Sequence, residues 1–197
     1  MQNLEFQRDS FIDEIYLSAK KNKNIYFLSA DFGAPALDKF RKDLKNQFIH
    51  CGISEQNMVN VAAGLALEGK KVVTYSIGNF GILRCLEQIR NDACYHDVNI
   101  TVIANGGGFS YGSLGMSHHT TEDLAILRAL PNMSVIAPCT TNEAGDAIKA
   151  LINNKGTGYL RLDKMGAKDC ITEDPFIIGK SRKYKEGKDI TLIATGS

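Results

Sequence analysis

Apolar positions along the chain switch repeatedly between helical spacing and short continuous runs, from the first residues to about position 162. Phe11, Ile12, Ile15 and Leu17, set among polar neighbours, predict an amphipathic helix over 8–22. The run Ile25–Ala30 predicts a buried strand that ends in a loop at Asp31 and Gly33. A helix near 36–44 and a short strand near 47–51 follow. Ser54 and Glu55 open a helix through Val59, Ala62, Leu65 and Ala66, closed by Gly69. Further on the pattern predicts a strand over Lys71–Ile77, a helix over about 80–93 and a strand over Val98–Ala104. A glycine-rich loop from Asn105 to Gly115 precedes a helix over 122–130 that stops before Pro131. A strand over Met133–Ala137, a helix over 141–154 and a strand over Tyr159–Leu162 complete the series.

Strands alternating with helices imply an α/β fold, a parallel sheet covered on both faces in three layers. Sites in such folds lie at the carboxyl ends of the strands. The polar clusters fall there: Asp31, then Cys51–Glu55, then Ser76–Phe80, then the glycine loop with His118. Past about 164, Lys, Gly and Asp crowd between short hydrophobic patches. Asp189–Ser197 reads like a new strand and turn. The expected division is therefore one domain over 1–165, then a linker and the first strand of a further, truncated domain over 166–197.

Composition narrows the function classes. The chain has 197 residues, 44% of them hydrophobic and 23% charged, which is ordinary for one folded domain. Its formal net charge of +1 provides no basic footprint for nucleic acid or anionic lipid. No apolar run approaches a membrane span, and no signal-peptide core is present near the N-terminus, so a cytoplasmic location is expected. The five cysteines, at 51, 85, 94, 139 and 170, form no C-x-x-C pair and no Cys/His metal spacing, so they read as reduced thiols.

Glu55 stands in the first turn of an expected helix, where a carboxylate commonly serves the helix dipole or a cap. The helix behind it (VNVAAGLAL) is almost wholly apolar, however. A helix of that kind is packed inside, so its first turn opens onto a cleft or an interface. The pair His118-His119 has no third residue at metal-ligand spacing. Either histidine is a solvated loop residue or, near a strand end, a proton shuttle. The loop NGGGFSYGSLG matches neither the P-loop nor the dinucleotide fingerprint and reads as a surface loop. Phe80 is a core aromatic or a stacking platform.

Five blocks in order, FLSADFG, HCGISEQNMVNVAAGLAL, YSIGNFGILRCLEQIRND, GMSHHTTEDLAILRALPNMSVIAP and GYLRLDK, resemble the pyrimidine-binding domain of transketolases. The resemblance runs from about Arg8 to Asp163 and extends more distantly to deoxyxylulose-phosphate synthases and 2-oxoacid dehydrogenase beta subunits. It implies thiamine diphosphate as cofactor, with Glu55 meeting N1′ of the aminopyrimidine. A carboxyl group bonded there favours the imino tautomer, whose 4′-nitrogen takes the thiazolium C2 proton. The ring then accepts the electrons released when a C–C bond breaks. Such a role requires a desolvated Glu55 whose pKa is raised.

The resemblance further implies that Phe80 stacks on the pyrimidine, after a one-residue shift against the competing Gly81. It places Ile53 and Asp31 with the cofactor and Arg8 with the substrate's phosphate. His118 contacts substrate hydroxyls and assists proton transfer, His119 is a neighbour, and Arg161 is a candidate for anion binding. Three family positions depart: an acidic residue falls at Leu114, a phosphate-holding histidine at Gly106, and a phosphate-contacting serine near Pro35. Cofactor activation is thus expected to persist with altered sugar-phosphate recognition.

The family's diphosphate and Mg²⁺ signature, G-D-G followed by Asn, has only Gly145-Asp146-Ala147 as a poor echo. The Mg²⁺ ligands are therefore expected from a separate diphosphate-binding partner chain. Self-association through helix 55–67, giving a homodimer, is also expected. The L-R-A-L-P-N block and His118 favour a ketol transferase over the alternatives, which are a 2-oxoacid dehydrogenase beta-type chain, a deoxyxylulose-phosphate-synthase-like enzyme and a non-catalytic regulatory module.

Overall fold

A computed structural model describes residues 6–30, 33–164, 172 and 174–197. Its strands are β1 (Ile25–Ala30), β2 (Phe48–Gly52), β3 (Lys71–Ile77), β4 (Ile100–Asn105), β5 (Met133–Ile136) and β6 (Thr157–Leu162). They form one sheet in the order β2-β1-β3-β4-β6-β5, and every neighbouring pair is parallel. The helices are α1 (Gln7–Lys21), α2 (Asp38–Asp43), α3 (Glu55–Leu67), α4 (Gly78–Ile82), α5 (Leu86–Gln88), α6 (Asp123–Arg128) and α7 (Thr141–Asn153).

Successive side chains of a strand point to opposite faces, and here both faces are covered, so the strands are apolar at nearly every position. On one face Phe27, Val73, Tyr75, Ile103, Leu160 and Leu162 meet Phe11, Ile12 and Ile15 of α1 and Ile148 and Leu151 of α7. On the other face Leu28, Val72, Val102, Ala104 and Tyr159 meet Met58, Val59 and Ala62 of α3, with Ile82, Ile89 and Leu127. The expected three-layer α/β fold is what the chain adopts.

Helix ends follow local chemistry. The Thr140 hydroxyl accepts the Glu143 N–H at 3.2 Å and caps α7. Gly69 takes φ +78° after α3, and the Lys70 N–H reaches back to the Leu65 carbonyl at 3.1 Å. Fully buried Gln7 ties the start of α1 to the sheet: its amide donates to the Pro138 and Cys139 carbonyls, and its oxygen accepts the Asp163 N–H. That anchor sets Arg8 at the edge where β6 ends.

Two segments depart from the sequence pattern. The single helix expected over 80–93 is broken into α4, α5 and a π-helical stretch, Ile89–Cys94. Cys85 leaves the helical region at φ −105°, ψ 10°, with its thiol donating to the Phe80 carbonyl at 3.3 Å. Tyr95 N–H then bonds the Arg90 carbonyl five residues back, at 3.0 Å, which turns Ile89, Ala93 and Cys94 into the core. The run Asp189–Ser197, expected to begin a strand, pairs with no strand among the described residues, and Ile190, Leu192 and Ile193 are exposed.

Candidate functional site

Glu55 is the first residue of α3, immediately beyond the carboxyl end of β2. It is only 4% exposed although it heads a helix. Ser54 fixes the entry to that helix by donating its hydroxyl proton to the Cys51 carbonyl at 2.5 Å. Arg84 Nη1 donates to Glu55 Oε2 at 2.8 Å, and this guanidinium also lies over the Phe80 ring, 4.7 Å from its centroid. Nearby, burial pushes the Cys85 thiol up to about 12, and the charge of Glu55 adds to that rise. Glu55 thus sits in a desolvated corner with one positive partner.

Phe80 lies on α4, past the end of β3, and is half-buried. α4 can approach the glycine loop because Gly78 has no side chain: a Cβ there would collide with the Thr120 hydroxyl. Asn79 Nδ2 donates to the Ser117 carbonyl at 2.8 Å and closes the same seam. His118 consequently stands edge-on to Phe80, with centroids 5.0 Å apart, and Ser117 Oγ is 3.0 Å from its Nδ1. His119 faces away, with Nε2 2.9 Å from the Gly112 carbonyl oxygen and its ring against Phe109.

The glycine loop is a packed element. Gly106, at φ +90°, leaves room for the Tyr111 ring, and Gly107 leaves room for the Arg161 guanidinium; a Cβ at either position would overlap its neighbour. Tyr111 accepts a hydrogen bond from Asn105 Nδ2 at 3.3 Å. Its ring is 5.6 Å from that of His118, and Lys164 Nζ lies 5.0 Å from its centroid. Burial pushes the Tyr111 phenol up, while the Asn105 bond and the charge of Arg8 oppose the rise.

The residues singled out from sequence divide accordingly. Glu55, Phe80 and His118 come together in one run of contacts through Arg84. Arg8 lies near Tyr111 and pairs with Asp9 at 2.7 Å, a bond that raises its pKa. Ile53 is 78% exposed between β2 and α3. Arg161 is engaged internally, 3.5 Å from Asp123 Oδ2 and donating to the Thr120 carbonyl at 3.3 Å. Asp31 lies outside the described residues.

Arg84 and Tyr111 carry no signal of their own in the sequence pattern. The i, i+4 spacing of Phe80 and Arg84 is the one cue that places a cation over that ring. The partners Glu55 and Arg84 are 29 positions apart, beyond any local pattern.

These residues suit an aminopyrimidine: a desolvated carboxyl group for a ring nitrogen and an aromatic face for the ring. Among the described residues no group of three or more His, Cys, Asp or Glu side chains could hold a metal ion.

Comparison with known proteins agrees with this geometry. Residues 8–168 match the family model described as transketolase, pyrimidine binding domain. One of the two component chains of an apulose-4-phosphate transketolase from Phocaeicola vulgatus is 35% identical over 192 residues, covering 96% of this chain and 62% of that protein. A putative transketolase C-terminal section of Methanocaldococcus jannaschii is 38% identical over 181 residues, covering 90% of this chain and 57% of that one. The chain therefore spans about three-fifths of the length of these relatives. A solved structure, a split-gene transketolase in an inactive beta4 tetramer, superposes with a TM-score of 0.85 at 32% identity. It covers 97% of this chain and 62% of that one. With the fold, the buried carboxylate and the sequence match in agreement, the chain belongs to the transketolase pyrimidine-binding domain family.

Proposed function

We propose that this chain supplies the pyrimidine half of the active site in a thiamine-diphosphate-dependent transketolase that moves a two-carbon ketol unit. The observation that carries this reading is Glu55, a 4%-exposed carboxyl group at the head of α3 beside the half-buried ring of Phe80. The cofactor, when bound, supplies the carbon nucleophile and electron sink for breaking a C–C bond. Glu55 holds or shares the proton at N1′ of its aminopyrimidine, Phe80 stacks on that ring, and Ile53 and Asp31 line its surroundings. His118, held against Phe80 and Tyr111, faces the substrate's hydroxyls and moves a proton there. Arg8 provides positive charge for an anionic end of the substrate, with Arg161 as a weaker second candidate because Asp123 and Thr120 already engage it.

Diphosphate and Mg²⁺ are bound by a partner chain, and the site is complete only at the seam between the two. The names of the relatives, one a transketolase subunit and the other a C-terminal section, support a divided enzyme. Sugar recognition differs from the family pattern because the Tyr111 ring fills the space next to Gly106, and exposed Leu114 stands where an acidic residue is usual. A ketose donor is favoured over a 2-oxo acid on the strength of His118 and the 127–132 block, L-R-A-L-P-N.

The test is Glu55→Gln in the complex with the diphosphate-binding chain, assayed with ketose and with 2-oxo-acid donors. A drop of about a hundredfold or more in ketol transfer is expected, the size of a lost acid–base contribution. Full turnover by the variant would overturn the reading, and a preference for 2-oxo acids would reassign the reaction.

A further inference from the structure

We infer that Arg84 is a positioning residue for Glu55, fixing which carboxyl oxygen faces the aminopyrimidine; this rests on the reading of Glu55 given above. Arg84 stands in the turn between α4 and α5, away from the strand ends that carry the other site residues. It joins the two groups on which the cofactor's ring depends, bonding Glu55 Oε2 at 2.8 Å while its planar head lies 4.7 Å from the Phe80 centroid.

One oxygen of Glu55 is thereby occupied. Oε1 accepts no hydrogen bond from the described residues, which leaves it to meet a ring nitrogen. A carboxyl group beside the apolar, buried Cys85 has little else to stop it rotating. The stacked guanidinium is itself held flat by Phe80, so the fork presents its N–H in a fixed direction. When Glu55 shares its proton with the ring, the negative charge left behind is paired at once instead of standing alone in a desolvated corner. A lysine could supply that charge but not the planar stacking. Arg84 is half-exposed, so its head can be replaced without opening the core.

The experiment uses the complex of this chain with its diphosphate-binding partner, loaded with thiamine diphosphate and Mg²⁺ and free of sugar. It measures proton–deuterium exchange at thiazolium C2 by quenched-flow NMR, and cofactor Kd by titration calorimetry. Arg84→Met should slow exchange by about ten- to a hundredfold, the scale of one charge-assisted hydrogen bond, with a smaller change in Kd. Arg84→Lys should recover part of the rate, and Arg84→Gln, which keeps a donor without charge, should fall between. Glu55→Gln serves as the reference. Wild-type exchange in Arg84→Met alongside slow exchange in Glu55→Gln would overturn this inference and leave the proposed function standing. Wild-type exchange in both would remove the assignment of Glu55 as well. Tighter cofactor binding with undiminished exchange in Arg84→Met would show a residue that obstructs the ring, again overturning the inference.

Discussion

Tyr159 donates its hydroxyl proton to Asp123 Oδ2 at 2.5 Å in a layer where neither side chain meets water. Burial raises the Tyr159 phenol far above its ordinary value, with the charge of Asp123 adding to the effect, so the group stays a neutral donor. Arg161 adds a Coulombic contact to the same carboxylate at 3.5 Å, too long for a good hydrogen bond, and bonds the Thr120 carbonyl beside His118 and His119. Asp123 therefore anchors the start of α6 and, through Arg161, the end of the glycine loop. Removing the carboxylate strands a largely buried cation, whereas removing the phenol oxygen strands one acceptor. Asp123→Ala should cost about 3–5 kcal/mol and Tyr159→Phe about 1–3 kcal/mol, read from urea denaturation at neutral pH. Equal, small costs would mean that Arg161 is held by its packing over Gly107 alone.

At the scale of elements, the segment after β6 is fastened to α7 by one carboxylate. Glu143 accepts from Arg182 Nη1 at 2.9 Å, from the Cys139 N–H at 2.8 Å and from the Tyr184 hydroxyl, while Phe176 and Ile178 pack on the core beneath. Burial pushes Glu143 up, but the Tyr184, Cys139 and Arg182 interactions together outweigh it, and the group titrates below its ordinary 4.5. A carboxyl group with a depressed folded-state pKa stabilises the fold fully above its unfolded value, and that contribution fades as pH falls through the folded value. Glu143→Gln should therefore lower stability by about 1–3 kcal/mol at pH 7. Its urea midpoint should also depend less on pH than that of the parent chain below about pH 4.5. A parallel acid limb in both proteins would exclude Glu143 as its source.

The elements themselves are largely legible in the sequence. β1 and β3 lie where the apolar runs at 25–30 and 71–77 place them, because strands buried on both faces announce themselves without alternation. The pattern over 80–93 reads as one helix because a π-helical turn conserves apolar spacing while shifting it by one residue, which no periodicity count reveals. The glycine loop misleads in another way. Its glycines read as flexibility, yet Gly106 and Gly107 are required by Tyr111 and Arg161, contacts made across the fold. Glu55 stands out because an apolar helix follows it, and Arg84 does not because its partner lies on another element.

Taken as a whole, the molecule leaves apolar side chains exposed on the loops that leave the sheet's carboxyl edge. Met116 is 85% exposed, and Phe109, Leu114 and Ile53 are also largely open to solvent. They flank the segments that carry Glu55 and His118, the half-site for which a diphosphate-binding chain is proposed. Scattered exposed apolar residues are ordinary, but four on loops around one half-site fit a surface completed by another chain. Among the described residues no helix is long and apolar enough to cross a membrane, so a bilayer-spanning helix does not account for them. A charge at Met116 would have to be desolvated on association and would remove about 1.5–3 kcal/mol of apolar burial, a loss of about tenfold or more in affinity. Met116→Glu should weaken complex formation with the diphosphate-binding chain by that factor in sedimentation measurements. Its urea midpoint alone should match that of the parent, since the side chain touches little of its own fold. Undiminished assembly by this variant would place the seam on another face, and α3, with Asn60, Gly64 and Leu67 facing solvent, would be the next surface to probe.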